Sequence, residues 1–361
     1  MANRLPLHDR HLAAGARFES VGEWELPFAY GQPAEEYRAA RNAVGLVDRG
    51  HWGVLELTGR DRATFLHALL SNEIKALAPG QGCAATLLDV HGRVQVVVSV
   101  WVADDRIFVV TPPSMAQKTA EALDHYLFSE KVAIRDLSDE TALLVLVGPK
   151  AHETAERVAG ARPGEAAWSH VTGKLGEAAV RLVNGARETG EAEVWIAGPS
   201  SEASRLWDAL VAAGARPIGR AAFESLRIEA GTPVLGRDVD ESVLLPEIPF
   251  ASLVSQTKGC YPGQEVVVRI RDRGHVNRML VGLRVDATAS DGAWAPSDGA
   301  EVLAESAGVG RVTSSTWSFG LERPIALAFV RRQHAAAGSR VEVRVGERTL
   351  PASVSELPFI R

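Results

Sequence analysis

The chain has 361 residues, 46% of them hydrophobic and 23% charged, the profile of a soluble globular protein long enough for two or three domains. Its formal net charge of −6 argues against a protein built mainly to grip nucleic acid, which carries a basic excess. Two cysteines, Cys83 and Cys260, are too few for a disulfide framework or for a conventional iron–sulfur site held by four thiolates, and no motif names a metal that the chain holds alone.

The N-terminal stretch lacks the continuous apolar core of a secretory signal, and Asp9 and Glu19 are unlike a transit peptide. Helical periodicity then predicts helices over 33–43 and 60–72. In the second, Phe65, Leu66, Leu69 and Leu70 share a face, with Thr58 as the expected cap. Strands are expected over 83–90 and 93–103 around the turn Asp89-Val90-His91-Gly92, with a third over 106–111. The apolar stretch Val94–Ala103, broken by Gln95 and Ser99, is too short to span a membrane, so a cytoplasmic location with no membrane partner is expected. Further helices are predicted over 114–127, 150–158, 201–213 and 221–230, and a strand over 142–147 that stops at Gly148-Pro149.

After about residue 280 the pattern changes to short apolar runs separated by turns: 279–285, 309–314, 325–330, 340–345 and 352–357. This spacing predicts a small β-barrel or sandwich. A polar loop is expected over Asp286–Asp298.

The most distinctive segment is Lys258-Gly259-Cys260-Tyr261-Pro262-Gly263-Gln264-Glu265, followed by Arg269. Glycines on both sides let the thiol sit on a tight exposed turn. Pro262 fixes one dihedral, and Lys258 places a cation two residues away, which favours the thiolate. Glu265 and Arg269 are spaced to share a face and pair. A lone cysteine is more often a small buried hydrophobe, but this polar, Gly-punctuated setting is unlike a core strand. Cys83, at the start of an apolar strand, reads as structural. The run Arg269, Arg271, Arg273, His275 and Arg278 is a solvated face or, beside an activated thiol, a holder for an anionic ligand.

The same segment resembles the signature of the YgfZ-type proteins, a folate-binding branch of the glycine-cleavage T-protein superfamily. Lys258, Gly259, Cys260, Gly263, Gln264, Glu265 and Arg269 match it, with Tyr261 as the aromatic. Other segments resemble the wider superfamily: Gly45-Leu46-Val47-Asp48 with His51, Leu57-Thr58-Gly59, Leu226-Arg227-Ile228-Glu229-Ala230-Gly231 and Gly310-Arg311-Val312-Thr313-Ser314. The likeness implies an α+β fold: a three-part ring around a central opening, with a folate-binding region of two intertwined α+β subdomains over 1–280 and a β-barrel over 281–361. Cys260 is then expected at the rim of that opening, and Arg227 and Glu229 as a buried pair in a helix.

The departures from the pattern bear on chemistry. Transferases of the superfamily carry an aspartate pair just after the hairpin turn, where this chain has Gln95-Val96-Val97. Aliphatic side chains cannot do general acid–base work, and Asp89 reads as a turn former. The glutamate that meets the pterin edge in relatives aligns with Trp195, with Glu193 two residues away, and an arginine contact aligns with Phe223. Trp195 and Phe223 can stack on a flat heterocycle, with Glu193 and Arg227 as the other candidate cofactor contacts, so tetrahydrofolate is expected to bind weakly or in a rearranged way. His51 reads as a structural histidine or a lining residue of the opening.

The resemblance implies an accessory factor for iron–sulfur proteins, folate-linked, dependent on Cys260 and partnered by client or assembly proteins. The alternative is a tetrahydrofolate-dependent aminomethyltransferase; a third reading is a degenerate enzyme that only docks on a partner.

Overall fold

The computed structural model describes residues 2–286 and 294–360. Residues 287–293 of the expected polar loop lie outside the described residues. No helix among the described residues is long and apolar enough to cross a membrane.

Four sheets organise the chain. A small three-stranded sheet near the N-terminus sets Trp24–Ala29 between Asn3–Arg4 and Arg17–Val21. A six-stranded sheet runs in the order His170–Leu175, Ala178–Asn184, Glu193–Pro199, Thr141–Val147, Gly45–Asp48, Arg216–Pro217. A five-stranded sheet runs Gly82–Leu88, Val94–Val102, Arg106–Thr111, Gly53–Thr58, Ala133–Asp136. The fourth is a closed six-stranded barrel that begins at Arg278 and ends at Ser355.

The strands of the two large sheets alternate with period two, yet both faces are buried. In Thr141–Val147, Leu144 and Leu146 pack under the helices Ala151–Ala159 and Ala203–Ala212, while Leu143, Val145 and Val147 point to the opposite side. In Val94–Val102, Val96, Val98 and Val100 pack toward the helices Arg62–Leu69 and Ala116–Asp124, while Trp101 faces the other way. The inward sides meet in a shared core of Val54, Trp101, Val145, Trp195, Ile218 and Leu226. The chain passes from one sheet to the other between Asp48 and Gly53, so Arg49-Gly50-His51-Trp52 is the crossing segment.

The helix Arg220–Glu229 lies at the junction and is buried almost all round, with Phe223, Leu226, Arg227 and Glu229 all inside. Arg227 and Glu229 do not pair with each other as expected. Arg227 donates to Glu224 (2.6 Å) and Asp238 (2.8 Å), and also to Ser314 of the barrel (3.0 Å). Glu229 accepts from Tyr37 and Arg41, both at 2.6 Å, and from Ser318 of the barrel at 2.5 Å. Successive polar side chains on one helix point to different faces, which is why the two bind different elements.

Most expected elements are present with shifted ends. The helix expected over 60–72 runs Arg62–Leu69, and Asp61, not Thr58, stands at its N-cap. Thr58 is the last residue of the preceding strand, where its backbone pairs with Arg106 and Ala133. The helix Gln264–Arg273 and the strands between His170 and Pro199 had no counterpart in the periodicity.

Candidate functional site

A cavity of about 720 Å³ opens between the two large sheets and the helix Arg220–Glu229. Its volume lies in the range of small-molecule sites. Its walls are aromatic: Trp24, Trp52, Trp168, Trp195 and Phe223 all line it. Trp195 is buried at the centre of an aromatic cluster, edge-on to Trp52 (5.0 Å), Trp168 (5.9 Å) and Trp101 (6.4 Å) between ring centroids. It is at once a strand core residue and a wall of the cavity.

The crossing segment supplies Arg49 and His51 to the lining. The Arg49 guanidinium lies 4.5 Å from the ring centroids of both Trp52 and Phe223, and 5.6 Å from that of Trp195. Contacts of this kind attract the cation to the ring faces. Arg49 Nη2 also donates to Glu188 Oε2 at 2.9 Å, across 139 positions of sequence. His51 lines the cavity, its ring 5.9 Å from Trp24. Burial, helped by the positive charge of Arg49, pushes His51 down to about 4, so its imidazole is neutral at ordinary pH. Arg49 Nε, His51 Nδ1, Trp52 Nε1 and Glu188 Oε1 are buried and have no hydrogen-bond partner among the described residues. Buried polar atoms are normally paired, so these four, on residues that line one cavity, are open to a polar partner.

Glu193 also lines the cavity but is committed to its own turn. Its Oε1 accepts from the backbone N–H and the hydroxyl of Thr189, both at 2.8 Å. Burial, then the nearby Glu188 carboxylate, raises its pKa, which favours the neutral acid. Phe223 is in the wall, whereas Arg227 is tied into the ion pairs described above and is not among the lining residues.

The strand Val94–Val102 presents Val97 and Ser99 to the cavity and no carboxylate. Gln95 lies instead beside a second, smaller pocket with Lys118 and Glu241. Asp89 is a turn former: its Oδ1 accepts from the backbone N–H groups of His91 and Arg93, both at 2.9 Å.

The Cys260 segment packs on the tip of this same hairpin. Gly263 has φ of +75°, and a Cβ on it would lie 2.4 Å from the carbonyl oxygen of Asp89. Gly263 caps the helix Gln264–Arg273, Tyr261 is buried against the hairpin core, and Cys260 is exposed. Cys260 is not among the residues that line the cavity.

Lys258 does not serve the thiol as expected. Its side chain turns inward, and Nζ donates to the carbonyl oxygens of His67 and Leu70, at the end of the helix Arg62–Leu69. Those carbonyls have no partner inside the helix, and a cation there complements the helix dipole. Gly259 is exposed beside the thiol, and Gln264 opens the helix. Glu265 and Arg269 are both exposed, and no ion pair joins them among the described residues. Of the basic run, Arg278 is folded back onto Glu247 (3.1 Å) and Phe329, while Arg271 pairs with Asp272.

Two family models cover nearly the whole chain: the GCVT N-terminal domain matches residues 7–258, and the glycine cleavage T-protein C-terminal barrel domain matches residues 278–360. The chain belongs to the glycine cleavage T-protein family. The crystal structure of the glycine cleavage system aminomethyltransferase T from Bartonella henselae superposes with a TM-score of 0.89 at 23% identity, covering 100% of this chain and 98% of that one, and so shares its fold. A Picosynechococcus protein named aminomethyltransferase is 31% identical over 363 residues, 99% of this chain and 98% of its own length. One of the same name from Thermotoga neapolitana is 30% identical over 364 residues, with the same coverage. These matches reach the superfamily and its α+β fold with a C-terminal barrel.

Arg49, Trp52, Trp168 and Glu188 were not singled out in the sequence. Arg49 and Trp52 flank the His51 that the superfamily resemblance marked. Glu188 directly precedes Thr189, whose backbone N–H and hydroxyl donate to Glu193. Nothing in their local pattern says that they meet.

Proposed function

We propose that the chain binds a tetrahydrofolate in its central cavity and uses it in transfer chemistry of the T-protein family. The observation that carries this reading is the cavity: flat aromatic walls around a set of buried, unpartnered polar atoms suit a planar heterocycle with a hydrogen-bonding edge. Relatives of nearly full length that are named aminomethyltransferase support the same ligand class. When bound, tetrahydrofolate supplies a ring nitrogen that accepts a one-carbon unit. Trp52, Trp195 and Phe223 would hold and orient the ring, and the enclosing walls would exclude water. Neutral His51 can donate or accept one hydrogen bond there without adding charge.

A second reading, an accessory role toward iron–sulfur proteins of the YgfZ type, is favoured by two observations. Val97 and Ser99 face the cavity where a carboxylate is needed for general acid–base work, and Cys260 is held exposed on an ordered loop. The two readings share the ligand and differ in what is done with it.

Calorimetric titration with tetrahydrofolate tests the shared part. One-to-one binding is expected, with quenching of tryptophan fluorescence because three tryptophans of the aromatic cluster line the site. No saturable heat up to about 1 mM, the weak end of specific binding, would remove the folate reading. Gene deletion separates the activities. Loss of glycine cleavage, restored by wild type and by Cys260→Ala alike, supports the transferase. Loss of an iron–sulfur enzyme, restored by wild type but not by folded Cys260→Ala, supports the accessory role.

A further inference from the structure

Three side-chain nitrogens of the crossing segment, Arg49 Nε, His51 Nδ1 and Trp52 Nε1, have no hydrogen-bond partner among the described residues, so the course of this segment rests largely on its backbone. Arg49 N donates to the Leu143 carbonyl and Trp52 N to the Arg49 carbonyl, both at 2.8 Å. Those two bonds need no particular side chain. The third does: Gly50 N donates to Asp48 Oδ1 at 2.7 Å, which requires the carboxylate to keep one orientation.

Asp48 is held in turn by a buried chain of side chains. Its Oδ2 lies 2.8 Å from Nε2 of His11, 37 positions earlier, on the short helix His8–Ala13. The Tyr30 hydroxyl lies 2.9 Å from His11 Nδ1, and the Tyr30 backbone N–H donates to Glu36 Oε1 at 2.8 Å. His11 is wholly buried, its ring edge-on to Trp207 at 4.8 Å between centroids. The partners decide the tautomer. A carboxylate only accepts, so Nε2 carries the proton and donates to Asp48, and Nδ1 accepts from the Tyr30 hydroxyl. Asp48 and Tyr30 line the cavity, whereas His11 is not among the lining residues.

From this chain of contacts we propose that His11 is a positioning residue for ligand binding: by fixing the Asp48 carboxylate it presets the crossing segment that carries Arg49, His51 and Trp52. This proposal rests on the folate reading of the cavity. A preset wall spares the ligand the free energy of ordering it, so the effect belongs in the affinity as well as in the stability of the fold. Without His11, the buried carboxylate has an open oxygen, turns toward other donors and releases the Gly50 amide.

The test uses the intact chain and two variants. His11→Phe keeps a ring against Trp207 and removes both nitrogens. His11→Gln keeps an N–H donor for Asp48. Calorimetry reads the affinity for tetrahydrofolate, a denaturant titration reads stability, and NMR reads hydrogen exchange at the Gly50 amide. Folded His11→Phe is expected to bind tetrahydrofolate about tenfold or more weakly than wild type, the scale of one lost charge-assisted hydrogen bond, with faster exchange at Gly50. His11→Gln is expected to recover the affinity to within about threefold of wild type.

A histidine that only supports the fold would lower the denaturant midpoint and leave the affinity of the folded chain unchanged; that result overturns the proposal while the folate reading survives. If His11→Phe does not fold, the nitrogen-15 spectrum of wild type decides. A proton on His11 Nε2 together with a protected Gly50 amide supports the role, and a proton on Nδ1 or an unprotected amide overturns it. If wild type binds no tetrahydrofolate, the folate reading falls, and exchange at Gly50 in His11→Phe judges the positioning role alone: faster exchange keeps it and unchanged exchange removes it.

Discussion

Cys83 and Cys260 carry the same thiol in opposite surroundings. Cys260 is exposed on its loop, whereas burial pushes the Cys83 thiol up to about 12, even with Lys258 nearby favouring its thiolate. The thiolate is the reactive form, so at about pH 8 a water-soluble disulfide reagent should label one thiol quickly in the folded protein and the second only on unfolding. Cys260→Ala should abolish the fast phase; a fast phase that persists would mean that Cys83 is accessible. Glu193 gives a pH prediction. Its folded-state pKa is raised, by burial first and by Glu188 second, so above the ordinary value of 4.5 the folded chain holds a proton that the unfolded chain has lost. Stability from this group is therefore complete at low pH and is lost as pH rises through the folded-state value. Glu193→Gln mimics the neutral acid. Denaturant midpoints from about pH 5 to about pH 8 should fall less steeply for the variant than for wild type. Parallel curves would mean that Glu193 is already ionised at the lower pH.

At the scale of elements, the loop that presents Cys260 is held by two contacts that its own sequence does not contain. Gly263, with φ of +75° and the Asp89 carbonyl at 2.4 Å from its missing Cβ, lets the loop sit on the hairpin turn. Gly22 also has positive φ, +56°, but nothing lies within 4 Å of its Cβ position. Alanine at either site meets the left-handed backbone penalty of about 1–2 kcal/mol, and only Gly263→Ala adds a clash with backbone. Gly263→Ala should therefore destabilise more than Gly22→Ala, by about 1 kcal/mol or more in a denaturant titration. Equal losses would show that the loop slides off the hairpin at no cost. Lys258 is the second contact. Replacing it with Met removes two charge-assisted bonds to the end of the helix Arg62–Leu69, and about 2 kcal/mol of stability should go with them. An unchanged midpoint in Lys258→Met would mean that water caps the helix end as well as the lysine does.

Across the whole molecule, the helix Arg220–Glu229 ties the sheets to the barrel. Arg227 reaches Asp238 and Ser314, and its side chain and that of Asp238 are wholly buried. Removing one partner of such a pair leaves the other charge uncompensated, so Arg227→Met should cost about 3–5 kcal/mol. A loss within about 0.5 kcal/mol, the usual size of a surface change, would show that the barrel docks without this pair.

Much of this architecture is legible in the chain because its signals are local. The strand Arg340–Val345 alternates apolar and charged residues and appears with the expected ends. The turn at Asp89–Gly92 forms because Asp89 caps its own backbone, and Gly263 after Cys260 permits the left-handed bend that opens the next helix. The sheet strands between His170 and Pro199 were not legible: Ala178–Asn184 and Glu193–Pro199 are buried over more than half their length and so lack a regular alternation of apolar and polar residues, and His170–Leu175 carries Gly173 and Lys174 in place of an apolar run. The helix after Cys260 was missed because only Val267 on it is buried, too little for an apolar stripe.

The sequence by itself determined the barrel and the exposed cysteine loop, because hydrophobic period, glycine and proline act over a few residues, and the class of fold through its resemblance to the T-protein superfamily. Only the tertiary structure decided which charges meet. The chain holds 45 acidic side chains, and no local rule selects Glu188 to stand 139 positions from Arg49 as its partner. Nor does any rule send Lys258 away from the neighbouring thiol to a carbonyl 191 positions earlier. The first choice follows from how the sheets cross between Asp48 and Gly53, which brings Arg49 and Glu188 to one cavity, and the second from where the cysteine loop packs beside the helix Arg62–Leu69; in both places burial makes an unpaired polar group costly.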